Sequence, residues 1–169
     1  MSGELAERVK AAALLEGDFV LSSGKRSRFY VDKYLFSTEP GLLREVARSL
    51  AALLPDGTER LAGVALGAVP LVVALSLETG LPYVIVRKTA KDYGTAKSVE
   101  GRYEAGERLV LIEDVVTTGT QAVEAAEGLV EEGLRVECIL AVLDRREERE
   151  EGLGGFAFHA LLRLEDLVA

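Results

Sequence analysis

The chain has no tryptophan and no asparagine, and Gln121 is its one glutamine. Cys138 is the single cysteine and His159 the single histidine. One thiol cannot form an internal disulfide, and one cysteine with one histidine cannot build a zinc site of the usual spacing. Cys138 lies within the apolar run 136–143 and reads as a small core residue. His159 reads as a packed or surface residue of a C-terminal strand. The lack of disulfide pairs fits a reducing, cytoplasmic setting. Few thermolabile amides beside many Glu and Arg is a composition common in thermophile proteins. Basic residues are the minority: 20 Lys and Arg stand against 28 Asp and Glu, a formal net charge of −8. A nucleic-acid binder usually needs a basic face, so this balance argues against one but allows a local basic site for an anionic ligand. Long hydrophobic runs are missing too. The longest uncharged stretch, 61–77, is broken by Pro70 and two glycines and falls short of a membrane span. The first eight residues are charged and amphipathic, without the apolar core of a signal peptide.

What is present fits one α/β domain. The 169 residues, 49% of them apolar, can bury one sizeable core. Leu5, Val9, Ala12, Ala13 and Leu15 mark one face of a first helix, with Gly17 as its stop. Segments 19–21 and 28–34 read as two short strands around the turn 22–25, an antiparallel hairpin outside any parallel core. A helix is predicted from Pro40 to about Leu54. Strand and helix then alternate. Strand 61–66 leads through the Gly67-Ala68 turn into a helix with Pro70 in its first turn. Strands 83–86, 109–112 and 136–143 follow, with a helix from about Ala122 to Glu132 before the last of these. A final strand at 156–162 and a helical turn at 164–168 close the chain. The strands are continuous apolar runs, the signature of a parallel sheet flanked by helices on both faces. Residues 87–107 break the rhythm. They are charged and without strong period, and loops that long in a compact domain are usually functional or mobile. The mixed-charge run after Arg146 reads as a solvated helix or loop.

The most informative stretch is Leu109-Val110-Leu111-Ile112-Glu113-Asp114-Val115-Val116-Thr117-Thr118-Gly119-Thr120-Gln121. A buried strand is followed by two adjacent acids where it should end, then by a hydroxyl- and glycine-rich turn, then by a helix. Backbone N–H groups at a helix start, with threonine hydroxyls beside them, suit a phosphate. Carboxylates at the strand end can accept hydrogen bonds from sugar hydroxyls. In an open parallel sheet, ligands bind at the carboxyl ends of the strands. The Gly67-Ala68 turn, the 87–107 loop, the 113–121 segment and Asp144-Arg145 all fall on that edge.

These residues resemble an orotate phosphoribosyltransferase of the type I phosphoribosyltransferase family, over nearly the whole chain. Glu113 to Thr120 is similar to that family's signature for phosphoribosyl pyrophosphate (PRPP). Arg87-Lys88-x-x-Lys91-x-Tyr93-Gly94 resembles its catalytic loop. Ser23-Gly24-Lys25-Arg26-Ser27-x-Phe29-Tyr30 resembles its N-terminal hood segment, and Leu143-Asp144-Arg145 the strand end beside the base. The resemblance implies a single domain spanning 1–169, with a hood from 1–36 and part of 153–169 over a core of 37–152. It implies transfer of the phosphoribosyl group from PRPP to orotate, giving orotidine 5′-monophosphate and pyrophosphate with Mg²⁺. Lys91 and Asp114 are the expected catalytic residues. PRPP is expected to touch Arg87, Lys88, Lys91, Tyr93, Glu113, Asp114, Val115, Val116, Thr117, Thr118, Gly119, Thr120 and Gln121. Orotate is expected at Tyr30, Thr117 and Arg145. No side chain is expected to hold the metal, which is bound mainly through PRPP and water. A cytoplasmic homodimer is implied, the 87–107 loop of one subunit reaching its neighbour's site.

The sequence departs from the family pattern at three points. Tyr93 stands where many members carry histidine, Ser22 where many bacterial members carry lysine, and the Gly67-Ala68 turn has no lysine. Lys25, Arg26 and Lys33 are the cations placed to compensate. Two other readings use the same signature: a phosphoribosyltransferase for another nucleobase, and a PRPP-sensing regulator acting through a partner.

Overall fold

The computed structural model describes residues 2–21, 23–88 and 97–169. In chain order the elements are α1 (Ser2–Ala13), β1 (Leu14–Val20), β2 (Arg26–Val31), α2 (Lys33–Ser37), α3 (Pro40–Ala51), β3 (Arg60–Val64), α4 (Val69–Thr79), β4 (Tyr83–Val86), β5 (Val99–Glu100), β6 (Arg108–Val116), α5 (Thr120–Glu131), β7 (Arg135–Asp144), β8 (Phe158–Arg163) and α6 (Leu164–Val168). Six strands form one sheet in the order β5-β4-β3-β6-β7-β8, and β1 and β2 pair as a separate antiparallel ribbon. Within the large sheet every pairing is parallel except β4 with β5.

Alternation along β6 builds the two sides of the core. Val110 and Ile112 pack with residues of α1, α3 and α4, among them Val9, Leu50 and Leu71. Leu109 and Leu111 pack on the opposite face with Ala126 and Leu129 of α5. Each fully buried leucine of this kind contributes about 1.5–3 kcal/mol relative to exposure. Because both faces are covered there, 61–64 of β3 and 109–112 of β6 need no polar side and are the continuous apolar runs expected of such strands.

The structure corrects several boundaries. The chain leaves α1 at Ala13, and Leu15 and Gly17 lie within β1, because Leu14 to Val20 pairs across to β2. The strand predicted to reach Tyr34 stops at Val31. The Asp32 carboxylate accepts a hydrogen bond from the Tyr34 amide at 3.0 Å and caps α2, so Lys33 and Tyr34 are helical. The 87–107 segment contains a strand, β5, whose buried Val99 pairs with Val86. The pair Glu113-Asp114 does not follow β6 but belongs to it; Glu113 is in register with Ala141, and Val115 with Leu143. The run after Arg146 is exposed from Glu147 to Glu151, as expected, but Arg146 itself is drawn inward. Its side chain is 11% exposed and pairs with the buried Asp144.

Candidate active site

At the carboxyl end of the sheet a cavity of about 700 Å³ opens between the ends of β3 and β6, the start of α5, and the β1–β2 ribbon. Its inner wall is the last part of β6. Glu113 and Asp114 are both buried there, 7% and 3% exposed. The Glu113 carboxyl accepts from the Asp114 amide at 3.1 Å, and Asp114 Oδ1 accepts from the Val115 amide at 2.6 Å. Burial first, and the neighbouring Asp114 charge second, push the Glu113 carboxyl up to about 8. Of these two adjacent buried acids, Glu113 is the one whose protonated form is favoured at neutral pH.

The signature turn runs from β6 into α5. Gly119 is the N-cap of α5, with φ at +87°, and no side chain caps the helix. A Cβ at that position would overlap Leu153 Cδ1, so both the backbone angle and the space call for glycine. The Thr120 amide donates to the Thr118 hydroxyl at a long 3.4 Å, and Gly119 offers no capping side chain to the amides that follow; Thr117, Thr118 and Thr120 are all exposed along the cavity. Thr118 and Thr120 hydroxyls lie 3.2 Å apart. Amides and hydroxyls gathered at the positive end of a helix have the chemistry that suits an anion.

Arg145 lies at the other end. The Arg145 amide donates to the Val116 carbonyl at 2.8 Å, fixing the end of β7 to that of β6. Its guanidinium reaches the Phe29 carbonyl of β2 at 3.4 Å, and Tyr30 beside it stacks on Phe19 with ring centroids 5.5 Å apart. Burial draws the Arg145 pKa down, against a smaller upward pull from Tyr30. A half-buried guanidinium next to an aromatic ring suits a flat anion.

The cavity brings together most of the residues singled out from the sequence: Tyr30, Lys88, Glu113, Asp114, Val115, Val116, Thr117, Thr118, Gly119, Thr120, Gln121 and Arg145 all line it. Arg87 does not. Its guanidinium pairs with Glu100 of β5 at 3.0 Å. Lys91 and Tyr93 lie outside the described residues. The structure adds Lys33, in the sequence no more than a cation placed to compensate, to the cavity lining. Its ammonium is 2.8 Å from Asp114 Oδ2. Leu21, Ser23 and Gly67 also line the cavity. Nothing local marks Lys33 as a site residue except its place after a capping aspartate.

Residues 38–155 match the family model of the phosphoribosyl transferase domain. The orotate phosphoribosyltransferase of Natronomonas pharaonis is 47% identical over 161 residues, covering 94% of this chain and 92% of that one. Among solved structures, the orotate phosphoribosyltransferase of Aeropyrum pernix superposes with a TM-score of 0.82 at 30% identity, over 99% of this chain and 96% of that one. The Mycobacterium tuberculosis orotate phosphoribosyltransferase in complex with PRPP superposes with a TM-score of 0.79 at 27% identity, over 99% of each chain. A family match across most of the sequence, joined to near-half identity along almost the whole chain, shows that this protein belongs to the phosphoribosyltransferase family, in its orotate phosphoribosyltransferase branch.

Proposed function

We propose that this chain transfers the 5-phosphoribosyl group of PRPP to orotate, giving orotidine 5′-monophosphate and pyrophosphate, a step of pyrimidine nucleotide synthesis. One observation carries the reading: a single cavity joins an anion corner at the start of α5, a carboxylate floor, and a guanidinium beside an aromatic ring. The three match a phosphate, a ribose and an orotate in the order the product links them.

In this reading Thr117, Thr118, Gly119, Thr120 and Gln121 hold the 5′-phosphate through amides and hydroxyls. Asp114 accepts the ribose hydroxyls, and its negative charge favours the oxocarbenium-like carbon formed as pyrophosphate leaves. Arg145 and Tyr30 hold the orotate carboxylate and ring, with Thr117 in reach of the base. Lys88, with Arg87, Lys91 and Tyr93, serves the departing pyrophosphate. Segment 87–107 reaches the neighbouring site of a homodimer, and closure over the reactants keeps out water that would hydrolyse PRPP. Residues 1–36 with part of 153–169 form a hood over the 37–152 core, and the enzyme works in the cytoplasm.

Mg²⁺ fits this site as a companion of PRPP. Among the described residues no three His, Cys, Asp or Glu side chains converge to cage a metal. Asp114 Oδ2, the one buried carboxylate oxygen among the described residues without an aligned hydrogen bond, faces an ammonium. Phosphate oxygens and water would therefore supply most of the ligands. Bound in that way, Mg²⁺ neutralises charge on the leaving group.

The test is turnover with PRPP, Mg²⁺ and a panel of bases. Orotate should be consumed and orotidine 5′-monophosphate formed. Consumption of adenine or guanine in its place would overturn the assignment of the base. Tight PRPP binding with no base consumed would instead support a regulator.

A further inference from the structure

Lys33 reaches the cavity floor from the first turn of α2 and sits against the most buried carboxylate there. Its side chain is 34% exposed, that of Asp114 4%, and the ion-pair distance is 2.8 Å. Burial pulls the ammonium pKa down, but the contact with the Asp114 carboxylate outweighs it, and the net shift is upward. Lys33 is therefore firmly charged at neutral pH. The pairing is close yet poorly directed. Asp114 Oδ1 accepts an aligned bond from the Val115 amide, while Oδ2, the oxygen facing Lys33, has no aligned hydrogen bond. The neighbouring turn is shaped around this contact. A Cβ on Gly67 would overlap Asp114 Oδ2 and lie 3.1 Å from Lys33 Nζ. The absence of a side chain at Gly67 leaves room for the ammonium, and the Asp32 cap of α2 fixes where Lys33 leaves the backbone.

The geometry of the ligand gives this cation a task. PRPP carries its diphosphate on the α face of the ribose, the same face as the 2- and 3-hydroxyls. A carboxylate that accepts those hydroxyls lies next to the diphosphate, and so does any cation paired with it. We propose that Lys33 is a diphosphate-binding residue that exchanges partners: in the free protein its ammonium neutralises Asp114, and when the ribose hydroxyls take that carboxylate the ammonium turns to the diphosphate of PRPP. The inference rests on the PRPP reading above. The exchange means that Asp114 is never a bare buried charge, which would be strongly destabilising. It also puts a cation on the leaving group from the side of the floor, apart from Lys88 at the cavity wall.

The single buried Cys138, whose thiol burial pushes up to about 11, makes a chemical test practicable, because it will not compete for an alkylating agent at mildly alkaline pH. Wild-type turnover of PRPP with orotate checks the underlying reading, and its absence would overturn both. Given that turnover, Lys33→Cys should weaken PRPP binding by about tenfold or more in calorimetric titration. In the reverse reaction it should raise KM for pyrophosphate by a similar factor and leave KM for orotidine 5′-monophosphate unchanged. Alkylation with 2-bromoethylamine, which rebuilds an ammonium of lysine length, should restore PRPP affinity. Lys33→Gln, which keeps a hydrogen-bond donor for Asp114 without the charge, should show the same losses and serves if the cysteine variant is unstable. Unchanged PRPP affinity, or equal losses for pyrophosphate and orotidine 5′-monophosphate, would overturn the proposal. So would an alkylated variant that remained as weak as its parent.

Discussion

Asp114 and Asp144 stand at the ends of adjacent strands, β6 and β7, and both are 3% exposed. Each faces a cation, yet the two pairs are built differently. Both oxygens of Asp144 are engaged: Oδ1 accepts from the Arg146 amide and Nε, each at 3.0 Å, and Oδ2 accepts from Nη2 at 3.1 Å. Arg146 is tied further, donating to the Gly152 carbonyl at 2.9 Å and lying 4.6 Å from the Phe158 ring centre. Asp114 has one aligned bond, one loosely matched ammonium and a cavity in front of it. Equal burial thus hides opposite roles. A carboxylate with both oxygens engaged and a planar fork against it is structural. One with a loosely matched ammonium and a cavity beside it is open to exchange its partner, as the proposed ribose contact requires.

The contrast can be broken by substitution, the largest effect first. Asp144→Ala leaves Arg146 without its carboxylate and should cost about 3–5 kcal/mol of stability, read from urea unfolding, with turnover of the folded fraction near wild type. Unchanged stability would show that the Asp144–Arg146 pair is dispensable. Asp114→Asn should give the opposite profile. Turnover should fall about 10²–10³-fold with little change in the unfolding midpoint. A Gly67→Ala methyl collides with Asp114 Oδ2 and should cost about 1–3 kcal/mol, shared between a lower melting temperature and weaker PRPP binding. Full PRPP affinity in that variant would show that the Lys33–Asp114 contact yields easily. The last effect is graded by pH. Glu113 has its folded-state pKa raised to about 8 from 4.5. The folded protein therefore holds a proton that the unfolded chain releases, so this contribution is present below about 4.5 and is lost as pH rises toward about 8. The slope is at most about 1.4 kcal/mol per pH unit, and Glu113→Gln should flatten it in unfolding titrations across that window.

Much of the architecture is legible in the residues, for a physical reason. Strands covered on both faces must be apolar throughout, so β3, β4 and β7 stand out as runs. The signature turn is legible because its hydroxyls, a glycine and a helix start fall in immediate succession in the chain. Elsewhere, tertiary contacts decide. Hydropathy ends β6 at Ile112, but the ladder with β7 carries it on through two acids whose side chains turn to the cavity wall. Gly17 reads as a helix stop, yet pairing with β2 draws that segment into a ribbon. Lys33 and Asp114 are far apart in the chain, and no local pattern links a helix-start lysine to a strand-end acid. Arg146 reads as one more charge in a charged run. Only the fold shows that Asp144, Gly152 and Phe158 enclose it.

The short antiparallel strand β5 has a consequence for solubility. Without it, β4 would end the sheet as four apolar residues with an open row of backbone groups, a template on which a second chain could add. Val99 and Glu100 cover that row in the reverse direction, and the Arg87–Glu100 ion pair places charge on the rim. Two residues are too few to recruit another strand, and charge at an edge discourages cross-β growth. Replacing Glu100 by an apolar β-branched residue would remove that guard, and the first sign would be aggregation on storage.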